Sequence, residues 1–139
     1  MKKRIISFIL SGAIMISCFC GTAFAEESRA STTLAVYSVE LFARDNASEV
    51  YIDYYVRAVA IASKVGVQSI TLFDSYGNYV DSVGGSTENG LVCENFSSHT
   101  GTYSFSVRAG ASYYAVVVIY ARVGSDYDHR AITTSTVTV

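Results

Sequence analysis

Two neighbouring stretches decide the fold: Thr102-Tyr103-Ser104-Phe105-Ser106-Val107-Arg108, and Tyr113-Tyr114-Ala115-Val116-Val117-Val118-Ile119-Tyr120-Ala121-Arg122. In the first, Tyr103, Phe105 and Val107 alternate with Ser104, Ser106 and Arg108. A period of two places one set on a buried face and the other in solvent, which is the pattern of a half-buried β-strand. The second stretch is apolar on both faces and rich in β-branched and aromatic side chains. It reads as a central strand packed on at least one side. Gly110-Ala111 forms a tight connection between them.

Working towards the N-terminus, Leu34–Ala43 and Val50–Ile61 read as two longer strands separated by Arg44-Asp45-Asn46-Ala47-Ser48. Val50, Ile52, Tyr54 and Val56 share one face of the second, and Asp53 and Arg57 the other. Only at its end, Ala58 to Lys64, does alanine let a helical turn compete, before Gly66 ends the run. Val67–Phe73 and Tyr79–Val83 flank Asp74-Ser75-Tyr76-Gly77-Asn78, a β-hairpin with a turn that tolerates positive φ. Gly84–Gly90 is the longest loop, Leu91–Phe96 a weaker strand and Ser97–Gly101 a turn. Gly124–His129 reads as a loop, and Ala131–Val139 as a Thr-rich closing strand. The sum is an all-β chain of about seven to eight strands, at the turn spacing of a single antiparallel β-sandwich of immunoglobulin/fibronectin type over residues 34–139. A jelly roll or small barrel stays open, because periodicity does not give pairing order.

The N-terminus has a different logic. Met1-Lys2-Lys3-Arg4 is basic, Ile5 to Phe19 is apolar, and Ala23-Phe24-Ala25 ends in small residues. These are the three parts of a secretory signal peptide, residues 1–25, removed after Ala25. The apolar run is shorter than the ~20 residues a spanning helix needs. Met15-Ile16-Ser17-Cys18 is an alternative, a weak lipoprotein box in which Cys18 would carry a lipid and hold the chain at the cell surface. Residues 26–33 then read as a flexible lead-in to the domain. Secretion is the expected localisation.

Cleavage changes the charge balance. The whole chain of 139 residues has 10 basic and 12 acidic side chains, net −2. Without Lys2, Lys3 and Arg4 it carries 7 against 12, net −5. An acidic chain with scattered Arg and Lys is poorly suited to a phosphate backbone, so nucleic acid is not an expected partner. Cys18 and Cys20 leave with the leader, and Cys93 stays as a single thiol that cannot close an intramolecular disulfide. A small, buried apolar role is the usual one for such a residue.

The second half of the chain resembles small, uncharacterised secreted proteins of Gram-positive, clostridial-type bacteria. The matching pieces are Gly66-Val67-Gln68-Ser69-Ile70-Thr71-Leu72, Ser97-Ser98-His99-Thr100-Gly101, Gly110-Ala111-Ser112-Tyr113-Tyr114-Ala115 and Arg130-Ala131-Ile132-Thr133-Thr134. Residues 110–139 also look like the last strand pair of fibronectin-type modules. The resemblance implies an immunoglobulin/fibronectin-like sandwich and brings no catalytic residues with it.

No Gly-x-Ser-x-Gly elbow, phosphate-cradling glycine loop, His-Glu-x-x-His or Cys-x-x-Cys spacing occurs. A Cys93–His99 dyad would need both side chains in hydrogen-bond reach and a third group to orient the imidazole. His99 is read more simply as part of the Ser97–Gly101 turn. Asp126 and Asp128, with Asp74 or Asn78, fall short of the six to eight oxygens calcium takes. No cofactor and no metal are therefore expected.

Eleven tyrosines and no tryptophan are the most distinctive bulk property. Tyrosine offers a large face and a polar tip to a sugar ring or a protein. Strand tyrosines such as Tyr54 and Tyr103 fit half-buried sheet positions, which leaves Tyr76 and Tyr127, on loop tips, as the candidate binding residues. The expected function is a secreted, non-catalytic binding module for an extracellular protein or glycan. A self-assembling structural protein, through the uncharged edge Ile132–Val139, is one alternative. A small secreted hydrolase using Cys93 and His99 is the other. Membrane contact is expected only through the signal peptide or a lipid on Cys18.

Overall fold

A computed structural model describes residues 33–45 and 48–139. Residues 1–25, with the expected signal peptide and Cys18, and residues 26–32 lie outside the described residues. Nine strands are described: β1 (Leu34–Ala43), β2 (Glu49–Ala62), β3 (Lys64–Asp74), β4 (Tyr79–Gly84), β5 (Val92–Cys93), β6 (Phe96–Ser106), β7 (Ser112–Val123), β8 (Asp126–Thr133) and β9 (Val137–Thr138). They form two antiparallel sheets. One has the order β1-β2-β6. The other has the order β4-β3-β7-β8, with β5 also on β3 and β9 also on β7. The protein is a β-sandwich.

Alternation builds the core. In β2, Val50, Ile52, Tyr54, Val56 and Ala58 point inwards and are buried. Across the gap stand Val65, Val67, Ile70 and Leu72 of β3 and Tyr113, Ala115, Val117, Ile119 and Ala121 of β7. Each large aliphatic side chain sealed there stabilises the fold by about 1.5–3 kcal/mol before chain entropy is counted. Thr33, read as the last residue of a flexible lead-in, is buried, and its carbonyl accepts from the Val59 amide at 2.9 Å.

This second sheet has six strands but is four strands wide, because both of its edges are interrupted. β4 pairs with Ser69 to Phe73 of β3, the chain loops away over Gly85–Leu91, and β5 returns to pair with Val65 and Gly66. On the far edge, β8 pairs with Val116 to Val123, and β9 resumes against Ser112 and Tyr113. Between them Thr134 stays docked, since its amide donates to the Ala115 carbonyl at 2.9 Å and its Oγ1 accepts from the Ala115 amide at 3.0 Å. The closing strand expected over 131–139 is thus two pieces.

Tertiary pairing overrode local signals at four further places. Ser97–Gly101 is not a turn but part of β6, where Arg57, Val56, Tyr55 and Tyr54 of β2 face Ser98, His99, Thr100 and Gly101. Gly124–His129 is not a loop beyond its first two residues, because Asp126 onwards pairs with β7. Leu91–Phe96 is a two-residue strand followed by a turn at Asn95, whose φ is 62°. Ala58–Ala62 stays extended: between the pairs Arg57–Ser98 and Ala62–Phe96, four residues of β2 oppose one of β6. That bulge turns Val59 and Ile61 to solvent.

Candidate functional site

The two outer faces of the sandwich differ in chemistry. On the three-stranded sheet the outward positions include Ser38, Glu40, Thr100 and Thr102, but also Val36, Tyr55 and the pair Phe42–Tyr51, stacked at 5.4 Å; Thr102 Oγ1 donates to Asp53 Oδ1 at 2.5 Å. That face is mixed: hydroxyls dominate β6, while aromatic and aliphatic side chains stand on β1 and β2.

The outer face of the larger sheet is aromatic at both ends, with Val116 and Val118 flanked by Ser69, Thr71 and Thr133 between them. Outward from β7 stand Tyr114, Val116, Val118 and Tyr120, all half-buried. Register places Phe73 of β3 opposite Tyr114 and Tyr79 of β4 opposite Phe73. On the other side, Ala131, His129 and Tyr127 of β8 lie opposite Val118, Tyr120 and Arg122. Phe73 and Tyr114 stack at 5.3 Å with planes 16° apart, so each ring covers one face of the other. Tyr127 sits 5.8 Å from Tyr120 and 5.5 Å from His129, with the Arg122 guanidinium 5.7 Å from its ring centre. Burial in this company pushes the Tyr120 pKa up, and the neighbouring Tyr127 adds to the shift.

Tyr127, expected on a loop tip, is therefore on a strand. It is 43% exposed, and its hydroxyl donates to Gln68 Oε1 at 2.6 Å. Tyr76 is where it was expected, at the tip of the β3–β4 turn, and is 90% exposed. The two do not form one platform. Tyr76 follows Asp74, which pairs with Tyr113, whereas Tyr127 pairs with Arg122 at the other end of β7. At ~3.3 Å per residue those ends are roughly 30 Å apart. The same separation keeps Asp74 and Asn78 from Asp126 and Asp128, so these groups do not converge on a calcium site. Asp128 is instead paired with Arg130 at 3.0 Å.

Sequence reasoning missed Phe73, Tyr114, Val116, Val118 and Tyr120 as surface residues. For the four on β7 the signal was the double-sided apolarity of 113–122, which reads equally as packing on both faces. In the fold only the odd-numbered set, Tyr113 to Ala121, meets the core.

Tyr76 overlooks a second feature, a cleft of about 740 Å³ between the β3–β4 turn and the β6–β7 connection. Its walls include Asp74, Tyr76, Val80, Arg108 and Tyr113. The Asp74 carboxylate pins the turn: Oδ1 accepts from the Tyr76 and Asn78 amides at 3.0 and 2.8 Å, and Oδ2 from Asn78 Nδ2 at 2.9 Å. These bonds, the Asn78 side chain foremost, hold its pKa below the ordinary carboxylate value. Opposite, Tyr113 Oη bridges the chain five residues upstream, accepting from the Arg108 amide and donating to the Arg108 carbonyl, both at 3.1 Å.

Cys93 and His99 take separate partners. The Cys93 thiol points to the Ser98 carbonyl at 3.7 Å, and burial pushes its pKa up, away from a reactive thiolate. His99 Nε2 lies 2.7 Å from the Gly90 carbonyl and 3.2 Å from Tyr54 Oη. So short an approach to a carbonyl oxygen requires the proton on Nε2, which leaves that nitrogen a donor and not a base. No hydrogen bond joins Cys93 to His99 among the described residues.

No protein-family model matches the chain, and no curated protein matches it. Among solved structures, a crystal structure of a protein from Archaeoglobus fulgidus aligns over 76% of this chain and 97% of its own, with 12% identity and a TM-score of 0.42. An X-ray structure of a Northeast Structural Genomics Consortium target aligns over 76% of this chain and 84% of its own, with 9% identity and a TM-score of 0.40.

Proposed function

We propose that this protein is a secreted, non-catalytic β-sandwich that binds an extracellular protein through the outer face of its larger sheet. One observation carries the reading: the outer face that holds Phe73, Tyr79, Tyr114, Val118, Tyr120 and Tyr127 is richer in aromatic side chains than the mixed outer face of the other sheet. Aromatic side chains at such positions supply large contact area at low entropic cost, and they dominate binding energy when a partner seals them from water. Stacking of Phe73 on Tyr114 covers one face of each ring and fixes both side chains, so the pair offers a pre-ordered apolar surface to a partner.

Export rests on the basic, apolar and Ala-x-Ala segments at residues 1–25. The strand order, with β1-β2-β6 facing β4-β3-β7-β8, and the Tyr113 hydroxyl anchored on Arg108 support an immunoglobulin/fibronectin-like assignment within the sandwich class. A tyrosine near the start of the strand after a sheet-to-sheet corner, bonded to backbone just upstream, is a feature of that class. Kinship with the clostridial-type secreted group belongs to the same proposal.

The test is saturable binding of the purified chain to cell-wall, mucin and host-surface protein preparations, compared with Val118→Glu and Tyr127→Ala. Both substitutions sit on the outer face, so the fold should survive, and binding should be lost. Equal binding by wild type and variants would remove the face from the proposal. The self-assembly reading has less support, since the outer edge strand carries Asp126, Asp128, His129 and Arg130 and breaks after Thr133.

A further inference from the structure

We propose that the cleft beside Tyr76 is a second binding site, for a carboxylated pyranose, with the sugar ring on Tyr76 and its carboxylate on Arg108. The site lies at one end of the sandwich and is independent of the sheet face. The cleft, about 740 Å³, is broadly open to solvent, so a ligand would be held from one side.

Both walls are fixed before any ligand arrives. The turn under Tyr76 is held by the Asp74 carboxylate and by backbone bonds from the Gly77 amide to the Asp74 carbonyl at 3.0 Å and the Asp74 amide to the Asn78 carbonyl at 2.9 Å. The facing corner is held by Tyr113 on Arg108, by the Gly110 amide on the Val139 carbonyl at 2.6 Å and by the Val139 amide on the Ala111 carbonyl at 3.0 Å. A pre-formed cleft loses little entropy on binding.

Two groups in this rigid frame are unused. Tyr76, 90% exposed on a pinned turn, makes no ring contact or side-chain hydrogen bond among the described residues. Unlike Phe73 or Tyr114, it has free ring faces. Arg108 is tied down only through its backbone, and its guanidinium has no ion pair or hydrogen bond among the described residues. An open aromatic face takes the C–H face of a sugar ring, and an unpaired guanidinium takes a carboxylate through two parallel bonds. Ser75 and Ser106, also on the lining, suit ring hydroxyls.

Asp74 sets the polarity of the ligand. Its oxygens are occupied by the turn, yet its charge remains, so an incoming carboxylate belongs on the Arg108 side. Without Lys2, Lys3 and Arg4 the chain carries 7 basic against 12 acidic side chains, net −5, which opposes an anion at long range, so recognition has to come from these local contacts and be weak for a single sugar.

The experiment is an amide NMR titration of the chain, as recovered from a secreting host, with methyl glucuronide, methyl glucoside and acetate. Methyl glucuronide should give saturating shifts at Tyr76, Gly77, Arg108 and Gly110. Methyl glucoside should bind about tenfold more weakly, for want of the charge-assisted bonds to Arg108. Tyr76→Ala and Arg108→Gln should each weaken the glucuronide by about tenfold, and Arg108→Gln should leave the glucoside unchanged. Neither side chain supports the fold. Absence of saturating shifts, equal shifts from acetate, or an Arg108→Gln variant that binds glucuronide normally would each overturn the assignment. Val118→Glu and Tyr127→Ala should leave glucuronide binding intact, so failure here and failure of the sheet-face proposal are separable.

Discussion

The hydroxyl of Tyr54, on β2 in one sheet, donates to the backbone carbonyl of Gly90 at 2.9 Å, at the end of the excursion between β4 and β5 on the other sheet. His99 Nε2 reaches the same carbonyl at 2.7 Å. The Gly85–Leu91 segment is thereby clamped across the sandwich, which brings Leu91 into the core.

Tyr54→Phe keeps the ring and deletes the clamp's hydroxyl. His99 still satisfies Gly90, so the expected loss is about 1 kcal/mol by urea denaturation, the net worth of one intramolecular hydrogen bond. His99→Ala in the same background should cost more than it does alone, because the carbonyl then has neither partner. Additive losses would show that the two donors do not share the load.

The same hydroxyl predicts an alkaline limit. Burial raises the Tyr54 pKa from 10.0 to about 12. Between those values the unfolded state has given up a proton that the native state keeps, so stability falls as pH rises. The contribution is whole below pH 10.0 and is lost progressively towards about 12. Chemical denaturation across that window should show a negative slope that Tyr54→Phe reduces.

Gly101 lies opposite Tyr54 in the β2–β6 pairing, and the ring passes over it. A Cβ at 101 would stand 2.5 Å from Tyr54 Oη and 2.9 Å from its ring. Gly101→Ala must push the hydroxyl off Gly90, and the expected cost is about 1–3 kcal/mol. Combined with Tyr54→Ala, the same substitution should cost much less, which a double-mutant cycle measures.

Tyr113→Phe removes both bonds to Arg108 and leaves that amide and carbonyl without the side-chain partner. A loss of about 1–3 kcal/mol in thermal or urea unfolding is expected. The β6–β7 corner should also exchange its amide hydrogens faster, while β2 and β3 keep their protection.

Cys93 should react slowly with iodoacetamide at neutral pH in the native state and quickly once unfolded, because burial holds its thiol protonated. Fast native alkylation would revive the nucleophile reading.

Much of this was legible in the sequence, but unevenly. Leu34–Ala43 was read with its true bounds, and Val50–Ile61 was short by one residue at each end. These are long runs whose period of two is strong enough to stand without tertiary help. Ser97–Gly101 and Gly124–His129 were misread because Ser, Gly, Asp and His favour turns locally, while the ladders with β2 and β7 reward extension. Tyr76 was placed correctly by its turn. Tyr127 was not, since its strand exists only by pairing with β7.

The stretch 102–122 shows where the division falls. Its alternation and its β-branched, aromatic make-up determined by themselves that the chain is all-β, because those properties act within a few residues along one strand. They also determined that 113–122 would be apolar on two sides. Which side meets the core, and which stands beside Phe73, Tyr79 and Tyr127 as an open face, depends on pairings such as Lys64 with Arg122, 58 residues apart in the chain. Register is a relation between segments, so only the tertiary structure could decide it.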